Sequence, residues 1–149
     1  MNRIAWVLAL VCLTAAPAAA QTLTREGGEI HLVEPDGARQ TVVLATGGDG
    51  ALYALRPDGT WLKVTESVWP VYAELRAIAV ALAMDEANAT DPDDPEARLV
   101  ARCLMDVFVE LDDADMQTLV DVRIDPSRAQ IDDLERRYPD ITRRVELCI

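Results

Sequence analysis

Residues 29–65 read EIHLVEPDGARQTVVLATGGDGALYALRPDGTWLKVT and decide the fold of the chain. Two Pro-Asp-Gly turns, at 35–37 and 57–59, and a glycine-rich turn at 47–50 separate four apolar runs. Proline fixes the first turn position, and Asp-Gly tolerates the positive φ of a tight hairpin. The pattern predicts an antiparallel meander of four strands, over 29–34, 39–46, 51–55 and 60–65.

Alternation within the four runs predicts a sheet with one buried face. Successive residues of a strand point to opposite faces, so residues two apart share a face. The apolar pairs that share a face are Ile30 with Leu32, Val42 with Leu44, and Leu62 with Val64. His31 points the other way and is expected to be exposed. Because one face is apolar, a second layer of structure must cover it.

Residues 67–149 are predicted to supply that layer as four or five helices. Ser67 is expected to cap the first helix, and Pro70 suits the first turn of that helix. Residues 68–84 are apolar on almost all sides when placed on a helix. Because a helix of this kind is buried on most sides, it is the best candidate to cover the sheet.

Aspartate and proline mark the starts of the later helices. These starts are predicted at Asp94-Pro95, Asp112, Asp125-Pro126 and Pro139-Asp140. Asp94 is expected to cap the second helix, with proline at its first position. Asp112 is expected to cap the third helix, and Asp115 stands at the spacing of a capping box.

The first 20 residues have the layout of a secretory signal peptide. Arg3 gives a positive start, residues 4–13 form an apolar run, and residues 14–20 are small and end in three alanines. This arrangement predicts export by the general secretory route, with cleavage after Ala20. The run of ten apolar residues is too short for a membrane span, which needs roughly 20.

Cys12 raises one alternative for this N-terminal segment. A bacterial lipoprotein is cut before a cysteine that follows a small residue, but Cys12 follows Val11 and precedes the alanine-rich cleavage site. A cleaved secretory signal is therefore favoured over lipidation. The expected location is the periplasm or the cell exterior, with no membrane span after cleavage.

The composition excludes several classes of protein. The 149 residues include 26 acidic and 14 basic residues, for a net charge of −12. A pI near 4.4 argues against nucleic-acid binding, because phosphate contacts need clustered Lys and Arg. The hydrophobic content of 50% is too high for intrinsic disorder. A single histidine cannot build a multi-histidine metal site, and no cofactor is expected.

Two cysteines, Cys103 and Cys148, remain in the mature chain, which is predicted to be a single domain over 21–149. Each cysteine lies in the apolar stripe of a predicted helix, so a structural disulfide is predicted. Two free buried thiols and a redox-active pair are the alternatives. The predicted fold is α+β: a four-stranded antiparallel β-meander over 21–66, packed on a bundle of four to five helices over 67–149, with one disulfide.

An acidic cluster over 91–115 is a weak candidate for a cation site. Its aspartates are Asp91, Asp93, Asp94, Asp112, Asp113 and Asp115. Calcium prefers such oxygen ligands, but the glycine of an EF-hand loop is missing and two prolines interrupt the run. Helix capping is the favoured interpretation, so no metal site is predicted.

Arginines and tryptophans supply the candidate binding residues. These are the pairs Arg136-Arg137 and Arg143-Arg144, together with Trp61 and Trp69. The arginine pairs suit bidentate binding of phosphate or carboxylate, although neutralisation of the acidic helices is the favoured interpretation. The tryptophans flank the junction between sheet and helices, where they form either a binding hot spot or part of the core.

The sequence carries no recognisable catalytic constellation. His31 lacks a partner, and no Gly-x-Ser-x-Gly motif is present. The favoured hypothesis is a small exported, non-catalytic interaction or structural protein whose acidic surface suits a basic periplasmic or envelope protein. The alternatives are a cell-envelope hydrolase that uses paired carboxylates and a cation-binding protein that uses the 91–115 cluster.

Overall fold

The structure is a computed structural model that describes residues 20–122 and 128–149, and it has an α+β fold. The strands are β1 (Thr22–Glu26), β2 (Glu29–Val33), β3 (Arg39–Thr41), β4 (Val43–Thr46), β5 (Leu52–Leu55) and β6 (Trp61–Lys63). The helices are α1 (Pro70–Glu86), α2 (Pro95–Phe108), α3 (Asp113–Val122), α4 (Arg128–Arg137) and α5 (Ile141–Glu146). Residues 1–19, which carry the predicted signal peptide, and the predicted helix start at Asp125-Pro126 lie outside the described residues.

The strands form two antiparallel sheets, which corrects the predicted single meander. Sheet A has the order β1-β2-β3, and sheet B has the order β4-β5-β6. The predicted strand order is kept from β2 onward, but the predicted strand over 39–46 is divided between the sheets. Residues 39–41 pair with β2, whereas residues 43–46 pair with β5. A strand that passes from one sheet to another in this way forms a corner of the fold.

Val42 and Val43 lie at this corner. Val42 is buried, and its N–H donates a hydrogen bond to the Ile30 carbonyl at 3.0 Å. Val43 points outward and is 65% exposed. The sequence does not mark the division because both residues are equally apolar. Strand β1 was also not predicted, since its sequence, TLTRE, contains a single apolar residue, Leu23.

Helix α1 lies in the predicted region, but it begins at Pro70 instead of directly after Ser67, and its cap differs from the prediction. Trp69 occupies the N-cap position without a side-chain cap hydrogen bond, and the Ser67 hydroxyl lies 3.1 Å from that of Thr65. The prediction that Ser67 caps this helix is therefore wrong. The chain approaches α1 through a turn in which the N–H groups of Val68 and Trp69 both donate to the Thr65 carbonyl.

The packing of α1 also differs from the prediction. It packs mainly against α2 and α3, whereas β1 packs against α3. Only Leu75, Ala79 and Ala83 of α1 are fully buried, and Leu82 is half exposed. The prediction that α1 is buried on most sides is wrong, because its buried residues form one stripe. This stripe shares a hydrophobic core with residues of the strands, such as Leu32 and Ala54.

Two local predictions are confirmed in the helical part. Asp94 caps α2 by accepting hydrogen bonds from the N–H groups of Glu96 and Ala97, at 2.9 and 3.1 Å. Cys103 of α2 and Cys148 form a disulfide across a Cα–Cα distance of 5.5 Å. The disulfide therefore ties α2 to the turn that follows α5. Within residues 20–122 and 128–149, no helix has the length and apolar character needed to span a membrane.

Candidate functional site

The two sheets present different outward-facing surfaces. One row across sheet A is Thr24, His31 and Thr41, which are polar residues in register. Sheet B carries an apolar row, Val43, Leu55 and Trp61, beside a second row, Ala45, Tyr53 and Lys63. We call these six residues the sheet B outer face. Their neighbours in the strands, including the fully buried Ala54, face the core, so sheet B is apolar on both sides.

A cleft of about 430 Å³ opens on the sheet B outer face. It is lined by the segment 45–49 together with Tyr53 and Trp61, and we call it the Trp61 cleft. The Trp61 side chain is 54% exposed. A large, half-exposed aromatic ring beside a concave surface is typical of a binding site.

Asp49 lines this cleft and is held in place by hydrogen bonds. Its Oδ2 accepts a 2.7 Å hydrogen bond from the Tyr53 hydroxyl, and its Oδ1 accepts a 3.0 Å bond from the Ala51 N–H. The hydrogen bond from Tyr53 is the main reason why the pKa of Asp49 is lowered, and the same bond raises the pKa of Tyr53. Asp49 is therefore a carboxylate at neutral pH. Lys63 Nζ lies 3.9 Å from Asp49 Oδ2.

Gly47 makes this arrangement possible. A Cβ at this position would lie 2.6 Å from Tyr53 Cε2 and 2.7 Å from Asp49 Oδ1. Any other residue would push aside the ring or the carboxylate. The absence of a side chain at Gly47 thus lets Tyr53 and Asp49, which both line the Trp61 cleft, keep their positions.

A second groove of about 450 Å³ lies between residues 64–66 and α1, and Tyr72 and Arg76 contribute to its lining. Glu66 and Arg76 also bring charge to this groove. Among the described residues, neither side chain has a hydrogen bond or an ion pair that would fix its position. The Trp61 cleft is the better candidate site because its polar groups are already held.

Trp69, the other candidate tryptophan, lies in the core. It is fully buried and stacks on Tyr72 with ring centroids 5.0 Å apart. Its Nε1–H donates a 3.0 Å hydrogen bond to Asp113 Oδ1. Trp69 and Trp61 therefore occupy very different environments, and only Trp61 presents a ring to solvent.

The structure does not bring the two halves of the acidic cluster together. Asp91 and Asp94 precede α2, and Asp112 and Asp113 follow it, so the halves are separated by a helix of about 20 Å. Asp91 Oδ1 accepts the Asp93 N–H at 2.9 Å, and Asp94 caps α2. Within the described part of the chain, no three acidic, histidine or cysteine side chains are grouped as a metal site would require.

The aspartates at the start of α3 instead hold the fold together. Asp112 accepts hydrogen bonds from the N–H groups of Gly27 and Gly28, at 3.0 and 3.1 Å. Asp113 Oδ1 accepts the Arg25 N–H at 2.9 Å as well as the Trp69 indole N–H. The capping-box interpretation is wrong, because the carboxylate of Asp112 binds the β1–β2 turn instead of the first turn of α3.

Asp115 is the buried member of the cluster, with 4% exposure. It accepts a 2.7 Å hydrogen bond from the Tyr138 hydroxyl and forms an ion pair with Arg137. The Tyr138 oxygen in turn accepts the Asp112 N–H at 2.9 Å. Burial is the main cause that raises the pKa of Tyr138 to about 12.

All four candidate arginines have acidic neighbours within the chain. Arg144 binds both carboxylate oxygens of Glu110, at 2.6 and 2.9 Å. The other three arginines form four ion pairs: Arg137 with Asp115 and Asp133, Arg136 with Asp133 at 3.2 Å, and Arg143 with Asp140 at 3.9 Å. These contacts agree with the neutralisation alternative. A role for these arginines in binding an external anion stays a prediction.

Sequence reasoning missed Gly47, Asp49 and Tyr53. Two patterns could have indicated them: the Gly-Gly-Asp-Gly turn is followed by an aromatic residue, and apolar residues occupy both faces of the strands around it. The alternation argument considered only the inward-facing residues. Comparison with protein-family models, curated proteins and solved structures finds no match to this chain.

Proposed function

We propose that the protein is a small exported, non-catalytic interaction protein that binds a basic periplasmic or envelope protein through the sheet B outer face. The observation that carries this proposal is the outward exposure of Val43 and Trp61, at 65% and 54%, on one face of a sheet. Apolar groups left together on a surface commonly mark a docking site. Tryptophan and tyrosine supply much of the binding energy at such sites.

The charge of the chain supports a basic partner. The net charge is −12, and the pI is near 4.4. A field of this sign accelerates the encounter with a positively charged surface and disfavours acidic partners. The Trp61 cleft, which opens on the sheet B outer face, adds Asp49 as a fixed carboxylate. The acidic field would guide the encounter, and the aromatic face would hold the partner.

Three carboxyl groups are poorly suited to the role of general acid in hydrolysis by paired carboxylates. A general acid needs a raised pKa to hold its proton at neutral pH. The carboxyl groups with a resolved shift among the described residues, Asp49, Asp58 and Glu110, all have a lowered pKa. Each of these groups accepts hydrogen bonds as a carboxylate, which suits recognition better than proton donation.

A salt-dependent capture experiment tests the proposal. The protein and a double variant, Val43→Ser with Trp61→Ser, are used to capture proteins from an envelope extract. We expect basic proteins to be retained at low salt by the parent, lost from the double variant, and released by high salt, because salt screens the attraction. Leu99→Ser is the control, since Leu99 is exposed on α2, away from sheet B. Failure to retain any basic protein at low salt would contradict the proposal.

Export is tested separately by the N-terminal sequence of the protein recovered from the periplasm. We expect Gln21 as the first residue, because cleavage is predicted after Ala20. Retention of the uncleaved chain in the cytoplasm would contradict export. The binding experiment remains informative in either case.

A further inference from the structure

We infer that the Trp61 cleft receives an arginine side chain of the basic partner, with the guanidinium placed between the Trp61 ring and the Asp49 carboxylate. This inference rests on the proposed function and names the group that the cleft recognises. The cleft, at about 430 Å³, falls in the range of small-ligand sites, which is roughly 300–1,000 Å³. It therefore has room for one long side chain.

The aromatic wall favours a planar cation. Trp61 is 54% exposed, so about half of its surface is open to a ligand. Tryptophan is the best aromatic acceptor for a cation, and arginine is its most frequent cationic partner. The guanidinium is planar and weakly hydrated, so it stacks on an indole at a lower cost than an ammonium group.

Asp49, in the lining of the cleft, supplies a matching anion. Asp49 receives one hydrogen bond on each oxygen, from Tyr53 and Ala51. A carboxylate has about four acceptor positions, so both oxygens can accept further N–H groups. Because its partners already fix the orientation of Asp49, little ordering is needed when a ligand binds.

Lys63 is the chain's own cation nearest to the Asp49 carboxylate, and it leaves that carboxylate free to bind a ligand. Its Nζ lies 3.9 Å from Asp49 Oδ2, which is too long for a hydrogen bond, and its side chain is 58% exposed. The ammonium group thus lies beside the carboxylate without satisfying it. A guanidinium that bonds directly to Asp49 would displace this loose neighbour.

Calorimetric titration with the capped tripeptide Gly-Arg-Gly tests the inference. We expect binding to the parent protein, a loss of about tenfold or more in affinity for Trp61→Ala and Asp49→Asn, and no change for Leu99→Ala. The tripeptide with citrulline in place of arginine should not bind, because citrulline keeps the shape and loses the charge. Equal binding of the two tripeptides would overturn the inference.

Two further variants separate recognition from folding. Lys63→Gln should tighten binding of Gly-Arg-Gly, since it removes a competing cation. Gly47→Ala should weaken binding while the protein stays folded by circular dichroism, because the new Cβ displaces Tyr53 and Asp49. Weaker binding in Lys63→Gln, or unchanged binding in Gly47→Ala, would contradict the assigned geometry.

The outcomes also distinguish the inference from the function on which it rests. If the parent retains basic proteins from the extract but does not bind Gly-Arg-Gly, the arginine cleft is wrong and the interaction function stands. If Gly-Arg-Gly binds as expected but no basic protein is retained, the cleft recognises arginine and the proposed partner is wrong.

Discussion

Asp113 shows how much of the fold can depend on one side chain. Its Oδ1 accepts hydrogen bonds from the backbone N–H of Arg25 and from the indole N–H of Trp69. These donors belong to β1 and to the residue that precedes α1, so one oxygen joins sheet A, α1 and α3. Trp69 is fully buried, and the indole N–H cannot turn to water if this acceptor is lost.

Replacement of Asp113 should therefore destabilise the protein. For Asp113→Ala we expect a loss of about 1–3 kcal/mol in the free energy of unfolding, the usual cost of an unsatisfied buried donor. Asp113→Asn keeps an acceptor oxygen and should lose less. Urea unfolding measures both variants. The control is Asp93→Ala, at an exposed aspartate, which should stay within about 0.5 kcal/mol of the parent. Equal stability of Asp113→Ala and Asp93→Ala would contradict this role.

Tyr138 links stability to alkaline pH. Its pKa is raised to about 12 in the folded protein, whereas an unfolded chain has a tyrosine pKa of about 10. The folded state therefore favours the protonated hydroxyl, so this stabilisation is present below about pH 10 and is lost as pH rises toward 12. We expect Tyr138→Phe to lose less stability than the parent between pH 9 and pH 12, measured by urea unfolding. An identical loss in both proteins would show that Tyr138 does not titrate in this way.

At the scale of elements, local sequence patterns predicted a helix cap and the positions of the two bonded cysteines. The Asp94 cap of α2 follows from preferences within one turn of helix. The disulfide between Cys103 and Cys148 followed from helical spacing in two separate stripes. Each of these features could be predicted because the residues that decide it lie in a recognisable local pattern.

The features that sequence reasoning missed depend on contacts between distant parts of the chain. Strand β1 has little apolar pattern, and its position is secured by Asp112 and Asp113, more than 80 residues away. The division between β3 and β4 depends on strand pairing, since β3 pairs with β2 and β4 pairs with β5. The Trp61 cleft depends on Gly47, whose importance appears only when the Tyr53 ring lies against it.

The disulfide should stabilise α5 more than any other helix. The helix α5 has only six residues, which is far too few to be stable alone, and it packs on α2 and α4. The bond joins residues 45 apart in the sequence, for which the chain-entropy model gives about 4 kcal/mol. We expect reduction to lower the free energy of unfolding by an amount of this order.

Hydrogen exchange on the reduced protein tests whether α5 is affected first. The amides of 141–146 should lose protection before those of α1. The double variant Cys103→Ser with Cys148→Ser is the control, and reductant should leave its stability unchanged. Unaltered protection of α5 after reduction would mean that packing alone holds this helix.

At the scale of the whole molecule, negative charge is concentrated in the helical part. Residues 85–149 contain 18 acidic and 8 basic residues, a net charge of −10, whereas residues 21–84 contain 8 acidic and 5 basic residues, a net charge of −3. This net charge already counts the arginines that form ion pairs, such as Arg144 with Glu110. The less charged segment carries the sheet B outer face. In the proposed function, the helical part attracts the partner and the sheet part binds it.

This division predicts that salt has opposite effects on stability and on association. Salt screens exposed charges beyond about 10 Å at 0.1 M, so it should relieve repulsion among the acidic helices and raise the melting temperature. The same screening should slow association with a basic partner, while dissociation, which depends on the aromatic contacts, changes little. Calorimetry and stopped-flow binding over one salt series measure the two effects. A fall in melting temperature with salt would show that the ion pairs outweigh the repulsion. A salt-independent association rate would show that the acidic helices do not guide the partner.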